Sequence, residues 1–361
     1  MPRPVPRSSG LVLGTALFAA VCATPLQLQA ATSHSASAAA STKSLRTAFG
    51  APDLSGNWTN VSMTPEMRPG TAKSAVYTPE EVKKIESAAA KEETEANQNS
   101  DPNAGAPTVG GDKPKEGTRP EFVAAGGGVG GYDRGWLDPG NHVMRVRGEP
   151  RTSILTTADG RVPKPKAGVK APPGFGGGLG SFENPENRSL GERCIIGFGR
   201  KAGPPMLANG FYNNNYSFVQ TKDEVDIVIE MVHDVRKIRI GGTHRTDGAR
   251  PYMGDSIGRW DGNTLVVETT NIPKGQAYYG SWENLKVTER FTRVSPERMA
   301  YSFTVEDPSR WDQPWGGEYE FAPLKGVIYE YACHEGNYAL PGILAGARAE
   351  EAKKGAPQKG S

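Results

Sequence analysis

Ten residues near the C-terminus, Tyr329-Glu330-Tyr331-Ala332-Cys333-His334-Glu335-Gly336-Asn337-Tyr338, hold one thiol, one imidazole, two carboxylates and three phenols. Such side chains transfer protons, attack carbonyls or bind metals, and packing a strand calls for few of them. Read as a strand, the run sorts by alternation. Tyr329, Tyr331, Cys333 and Glu335 take one face, and Ile328, Glu330, Ala332 and His334 the other. On an inner face Glu335 becomes a general acid or base with a raised pKa. In the plainer alternative the tyrosines are core, and Glu335 sits at the strand end and pairs with an arginine. Cys333 and His334 point to opposite sides, so their adjacency is not a nucleophile–base dyad. His334 reaches the Glu335 face only where the strand ends or bulges.

A second alternating run, Val225–Ile240, puts Val225, Ile227, Ile229, Met231, His233 and Val235 on an apolar face. Its other face is mixed: Asp226, Val228, Glu230, Val232, Asp234 and Arg236. The candidate proton-transfer group is therefore His233, Asp234, His334, Glu335, Tyr329 and Tyr331. Arg236 is the candidate for binding an anion, with His244, Asp255, Arg259 and Trp260 as further substrate contacts. Gly254-Asp255-Ser256-Ile257-Gly258 carries the letters of a nucleophile elbow, but a strand and a hairpin turn follow it where the elbow needs a helix. Asp255 and Ser256 read more simply as turn residues bonding the backbone. Three imidazoles fall in the same half of the chain. No His pair sits at i, i+2 or i, i+4, so no cofactor is expected, and a metal ion stays a minor alternative.

From residue 211 onward short strands alternate with turns. Ser217–Gln220 and Val225–Ile240 come first. Gly258–Trp260 and Thr264–Asn271 flank the Asp261-Gly262-Asn263 hairpin signal. Lys286–Val294, Met299–Glu306, Gly317–Phe321 and Val327–Cys333 complete the series. The fold class is mainly β: an antiparallel meander closing into a barrel or a sandwich, with long Gly/Pro-rich loops and one or two short peripheral helices. Absence of strand–helix alternation argues against a doubly wound fold. Upstream, Asp53–Thr59 leads into a first strand with Trp58 buried. Thr78-Pro79-Glu80-Glu81 starts a helix to about Asn97 with a capping box. Arg151–Thr157 is a short strand candidate, and Pro341–Ala352 a short helix.

The chain has 45 Gly and 29 Pro, and they are unevenly spread, with loop insertions read at 98–131, which ends in a Gly-rich run, and 162–191. Residues 1–30 have the layout of a signal peptide: Arg3 and Arg7, an apolar run Leu11–Val21, then small residues by Ala30. Residues 31–50 read as a disordered leader, 51–346 as a single β-rich domain, and 347–361 as a charged flexible tail. The mature chain has no further apolar span and is expected in the periplasm or secreted. Cleavage leaves 40 basic and 40 acidic residues, a balance that argues against nucleic acid as a partner. Two cysteines survive, Cys194 and Cys333. In an exported compartment they suit a disulfide closing a long loop, with a nucleophilic Cys333 as the rival reading.

The segments Asp53–Trp58, Arg151–Ser153, Asp159–Arg161, Arg193-Cys194, His233–Arg236, Gly254–Ser256, Gly258–Asn271, Glu289–Thr292 and Tyr329–Tyr338 together resemble a large family of exported, functionally uncharacterised (hypothetical) bacterial proteins, frequent in soil bacteria. The resemblance covers most of the chain after residue 50. It implies an exported domain whose shared residues include both cysteines and the His233-Asp234 pair, and it carries over no catalytic roles.

Three functions compete. The first is an exported enzyme, a lyase, isomerase or hydrolase, acting on a small organic substrate by general acid–base chemistry. The second is a periplasmic small-molecule binding or carrier protein, with Trp58, Trp260, Trp315 and tyrosines lining an apolar pocket. The third is an envelope structural protein with a filled interior. The density of titratable side chains favours the first. Oligomeric state is left open.

Overall fold

In a computed structural model of the chain, nine strands close into one barrel, with inward apolar residues alternating with outward polar ones. The structure describes residues 45–96, 137–169, 182–201, 203–208, 212–232 and 234–355. These belong to one unit, Thr42–Ser361, and Met1–Ser41 is a separate unit outside them. The expected signal peptide, the 98–131 insertion and His233 also lie outside the described residues.

The barrel strands are β1 (Gly56–Thr59), β4 (Asn215–Gln220), β5 (Glu224–Ile229), β6 (Val235–Ile240), β7 (Asp255–Asp261), β8 (Thr264–Thr270), β9 (Lys286–Ser295), β10 (Arg298–Glu306) and β11 (Trp315–Pro323). A separate two-stranded hairpin, β2 (Arg145–Val146) and β3 (Glu149–Pro150), packs against the barrel, with Arg147 of its turn bonded to Glu318 and Glu320 of β11. Around the barrel the order is β1-β11-β10-β9-β8-β7-β6-β5-β4, and short β1 pairs with both β11 and β4 to close it. Rings fill the interior: Phe218, Phe291, Tyr301, Tyr319 and Phe321 are buried, with neighbouring centroids 4.7–6.0 Å apart. Their tilted and edge-on contacts are the geometry aromatic quadrupoles favour.

The β7–β8 hairpin forms where its turn residues announce it, with Gly262 at positive φ. The capping box at Thr78 also forms. Glu81 N–H donates to Thr78 Oγ1 at 3.2 Å, and Thr78 N–H donates to Glu81 Oε2 at 2.8 Å. The helix it starts, α1 (Pro79–Ala96), buries Val82 and Ala89. Glu86 of α1 bonds Arg145 and the Val143 N–H, which docks the β2–β3 hairpin.

Several expectations need correction. Of barrel or sandwich, the structure is a barrel, but not a pure antiparallel meander: β6 and β7 run parallel. The long 241–254 connection provides the crossover that a parallel pair requires. Val225–Ile240 is not one strand but the hairpin β5–β6. Its register sets Ile227 opposite Arg236, so the parity of inward residues switches across the turn. Arg236, expected on the mixed face of the apolar run, points into the core instead. Val327–Cys333 forms no strand, because β1 already occupies the free edge of β11 and leaves nothing to pair with. Arg151–Thr157 contributes isolated bridges at Arg151 and Leu155 rather than a strand. The second helix, α2 (Ala339–Gly355), runs through residues read as flexible tail. At the other end, Arg46 of the expected leader bridges Pro52 of the domain.

Candidate functional site at one barrel end

Strand directions bring many polar residues to one end of the barrel. There β5, β8 and β10 finish, while β6, β7, β9 and β11 begin. The connections 60–66, 230–234, 251–254, 271–285 and 307–314 therefore gather at that end. Loop residues held by a rigid scaffold are where chemistry is commonly placed.

Glu66 reaches this end through a relay of backbone bonds. Residues 154–156 lie along β11: Glu318 N–H donates to Ile154 O and Thr156 N–H to Gly316 O, each at 3.0 Å. Ile154 and Leu155 N–H in turn donate to Pro65 O and Glu66 O, again at 3.0 Å. Gly317 makes the approach possible. A Cβ there would stand 2.8 Å from both Ile154 O and the Phe303 ring. Gly317→Ala is expected to cost about 1–3 kcal/mol through overpacking and to push Glu66 out of place. A denaturant melt, with m unchanged, checks the first part.

Two phenols meet the carboxyl. Tyr278 and Tyr279 O–H donate to Glu66 Oε1 at 2.6 and 3.1 Å. They sit on a tight turn closed by paired Tyr278–Ser281 backbone bonds, with Tyr279 at φ 48° and Gly280 at φ 79°. Two consecutive positive φ values define a type I′ turn, whose first position normally takes Asn, Asp or Gly. A tyrosine held there costs about 1–3 kcal/mol of backbone strain, of the kind that clusters at functional sites.

Arg200 completes the group. Its guanidinium carbon lies 4.5 Å from the Tyr278 ring centre, its Nη1 donates to Gln276 O at 2.9 Å, and its Nη2 donates to Pro204 O. Trp315 stacks on Tyr278 with centroids 5.5 Å apart, Tyr279 meets it at 6.0 Å, and Trp311 edges against it at 5.3 Å. Two buried N–H donors in this group, Arg200 Nε and Trp315 Nε1, have no acceptor among the described residues. A buried donor left without an acceptor costs about 1–3 kcal/mol.

Burial shifts all of these groups. It raises the Glu66 carboxyl above its ordinary value, against the lowering effect of the two phenols and Arg200. It likewise raises both phenols, with Glu66 adding to the effect. Arg200 is pulled down by burial, against the charges of Tyr278, Glu66, Glu289 and Tyr301.

Below the mouth, Arg236 and Glu289 form an ion pair sealed inside the barrel, 1% and 0% exposed. Arg236 Nη1 donates to Glu289 Oε1 at 3.0 Å, Nη2 to Thr269 Oγ1 at 2.9 Å, and Nε to Ser256 Oγ at 3.2 Å. Glu289 Oε1 also accepts the Tyr301 O–H at 2.8 Å, and the Tyr301 hydroxyl oxygen in turn accepts the Met206 N–H at 2.9 Å. Tyr319 O–H donates to Met206 O at 3.0 Å. The interior pair thus supports the 203–206 segment that Arg200 binds. Burial disfavours the Arg236 charge, but Glu289 outweighs it and raises the guanidinium.

The remaining sequence candidates divide. Asp234, Arg236 and Asp255 line one cleft of about 460 Å³ beside the β6–β7 seam. Asp234 accepts the Gly197 N–H at 2.8 Å. His244 bridges two carboxylates, Nδ1 to Asp255 at 2.9 Å and Nε2 to Glu268 at 3.3 Å. Burial opposes the Asp255 charge, but the Arg245 N–H, His244 and Arg239 hold its carboxyl below the usual range. Arg259 is exposed on β7, and Trp260 is half-buried against the core. The C-terminal run does not assemble as expected. Tyr329 is 72% exposed, and His334 and Glu335 are exposed. Tyr331 stacks on Tyr212 at 6.3 Å. Cys333 bonds Cys194, which ties this segment to the 190–197 loop across 139 residues of chain.

Glu66, Tyr278, Tyr279 and Arg200 are absent from the sequence candidates. The aromatic runs Tyr278-Tyr279, in a loop, and Trp311–Trp315, which leads into β11, were the available signal. No family model, curated protein or solved structure matches the chain. Among the described residues, no three His, Cys, Asp or Glu converge to hold a metal ion, and no helix is long and apolar enough to cross a membrane.

Proposed function

We propose that this chain is an exported enzyme that moves a proton on a small organic substrate, an isomerase or lyase working through Glu66. The observation that carries this reading is the Glu66 carboxyl: desolvated enough to be a stronger base than an ordinary glutamate, held by two phenols, and only partly buried. Both phenols bond Oε1, which leaves Oε2 to take the substrate proton. Tyr278 and Tyr279 fix the carboxyl, and the Arg200 charge favours an anionic intermediate nearby. Export is supported by the leader-like N-terminus and by the Cys194–Cys333 bond, which an oxidising compartment sustains. The resemblance to exported bacterial proteins agrees with it.

A binding or carrier role rests on the cleft beside β6 and β7, whose volume falls in the range of small-ligand sites. A structural envelope protein would share the ring-filled interior, but it has no need of a strained tyrosine turn around a desolvated carboxyl.

The pH profile tests the enzyme reading. A base must be ionised to act, and burial raises Glu66. Turnover of a hit from a panel of small aromatic and plant-derived compounds should therefore fall on the acid side through a pKa above the ordinary 4.5. An acid limb at or below that value would rule Glu66 out as the base.

A further inference from the structure

We propose that the cleft at the β6–β7 seam binds the free C-terminal end of an extended apolar peptide, which joins β6 as a short strand. The inference rests on the binding reading of this cleft, names its ligand class, and is independent of the Glu66 chemistry. β6 is paired unequally on its two sides. Its β5 side is paired from Val235 to Arg239, its β7 side only from Ile238 to Ile240. Asp234 O accepts the Ile229 N–H, and Ile240 N–H donates to Asp223 O. By alternation the even-numbered residues bond β5, and Val235 and Lys237 turn their main-chain groups towards the β7 side. Val235 is 42% exposed there.

β7 does not fill that place. Continued backwards in the same register, it would set Gly254 opposite Arg236 and Met253 opposite Val235. Gly254 instead turns the chain at φ 71°, with its N–H on Pro251 O at 2.9 Å. It packs against β8, where a Cβ would come within 2.7 Å of Thr269 Cγ2. The space left beside β6 is the cleft of about 460 Å³, lined by Val235, Lys237, Gly254 and the apolar Ile195, Ile196 and Tyr252. A strand edge open to a cleft takes another extended chain through main-chain hydrogen bonds. Three residues of such a chain span about 10 Å, the length of the unpaired stretch.

The charges in the cleft select the end of that chain. Its carboxylates are committed. Asp234 accepts the Gly197 N–H, Asp255 is bonded by Arg239, His244 and the Arg245 N–H, and Glu224 pairs with Lys237. Its guanidinium groups keep donors. Arg239 uses Nη2 on Asp255 and Thr243 O, and Arg245 uses Nε and Nη2 on Asp247. Among the described residues each keeps Nη1 for a further acceptor. Both side chains are half-exposed, and that of Lys237 is more so. A free terminal carboxylate supplies the acceptor and the opposite charge. Arg239 follows the unpaired stretch, so a peptide ending there runs parallel to β6.

Calorimetry on the full chain separates the elements with five probes. They are N-acetyl-alanyl-valyl-alanyl-valine, its C-terminal amide, its forms N-methylated at both alanines or at both valines, and hexanoate. The parent acid should bind about tenfold more tightly than the amide or hexanoate. The carboxylate fixes the register and only alternate N–H groups face β6. One N-methylated form should therefore lose about tenfold and the other less than about threefold. Lys237→Gln with Arg245→Gln, both on the surface, should remove the preference for acid over amide. Val294→Ala, on the outer face of β9, should leave every affinity unchanged.

Equal binding of acid and amide by the unaltered protein overturns the terminal carboxylate. Equal affinities of the two N-methylated forms overturn strand addition. Hexanoate matching the parent acid keeps the cleft as a small-ligand site and overturns the peptide. No binding of any probe overturns the proposal and leaves the Glu66 reading untouched.

Discussion

Glu66→Gln is expected to leave a folded barrel whose kcat/KM is lower by roughly 10²–10⁴-fold, the range for losing a positioned general base. The amide is nearly the size of the carboxyl and keeps an oxygen that can accept both phenols, so the Tyr278–Ser281 turn should stay closed. Circular dichroism and thermal melting should therefore match the unaltered protein while turnover is lost. Glu66→Asp keeps the acid but withdraws it from the phenols, and should fall between the two. If Glu66→Gln retained full turnover, proton transfer would have to be placed elsewhere. The Asp234 and Asp255 cleft would be the next place to look.

The second large effect concerns stability. Glu289→Leu should cost about 3–5 kcal/mol, because it leaves the Arg236 guanidinium charged, buried and without its counter-ion. Against a total stability of roughly 5–15 kcal/mol, that loss is a large fraction. Changing both partners, Arg236→Met with Glu289→Leu, removes the stranded charge and should recover most of the loss, even though the double variant has lost more hydrogen bonds. Urea melts of the two single variants and the double variant give the coupling directly. The pair has a functional reach as well. Glu289 orients Tyr301, Tyr301 holds the Met206 N–H, and the Pro204 carbonyl two residues earlier binds Arg200. A core that is stable but lacks this pair is expected to hold Arg200 less firmly beneath Glu66.

Local chemistry made parts of the fold legible in the sequence. The Gly262-Asn263 turn, the Thr78 capping box and the strand periods of β8 to β11 depend on neighbours in the chain, and they form where they were expected. The Cys194–Cys333 pairing was expected from the two cysteines of a chain read as exported, and the sulfurs are bonded. What failed depended on distant partners. Val327–Cys333 has a strand-like pattern, but β1 takes the edge it would need. β1 is separated from β11 by most of the chain, so no local pattern reports the closure. Arg236 turned inward because the residues between β5 and β6 form a turn rather than continuing one strand, which reverses the parity of every later residue.

The candidate site was illegible for the same reason. Glu66 stands in an irregular stretch, and the phenols that define it lie 212 and 213 residues further along. Its proximity to Arg200 depends on barrel closure, on Gly317 admitting the 154–156 segment, and on the ring-packed interior. Of the sequence candidates, Asp234, Arg236 and Asp255 did reach the same barrel end, because the starts of β6 and β7 face that way. Tyr329, His334 and Glu335 did not, since their segment is bound over the outside by its disulfide.

The most direct measurement is the titration of Glu66 itself, followed through its side-chain carboxyl carbon by NMR and assigned by its disappearance in Glu66→Gln. Desolvation at the barrel mouth should put its midpoint above the ordinary 4.5, with the carboxyl still protonated at pH values where exposed glutamates have ionised. A midpoint at or below that value would mean that the two phenols and Arg200 outweigh burial, and that Glu66 is a structural anion rather than a base.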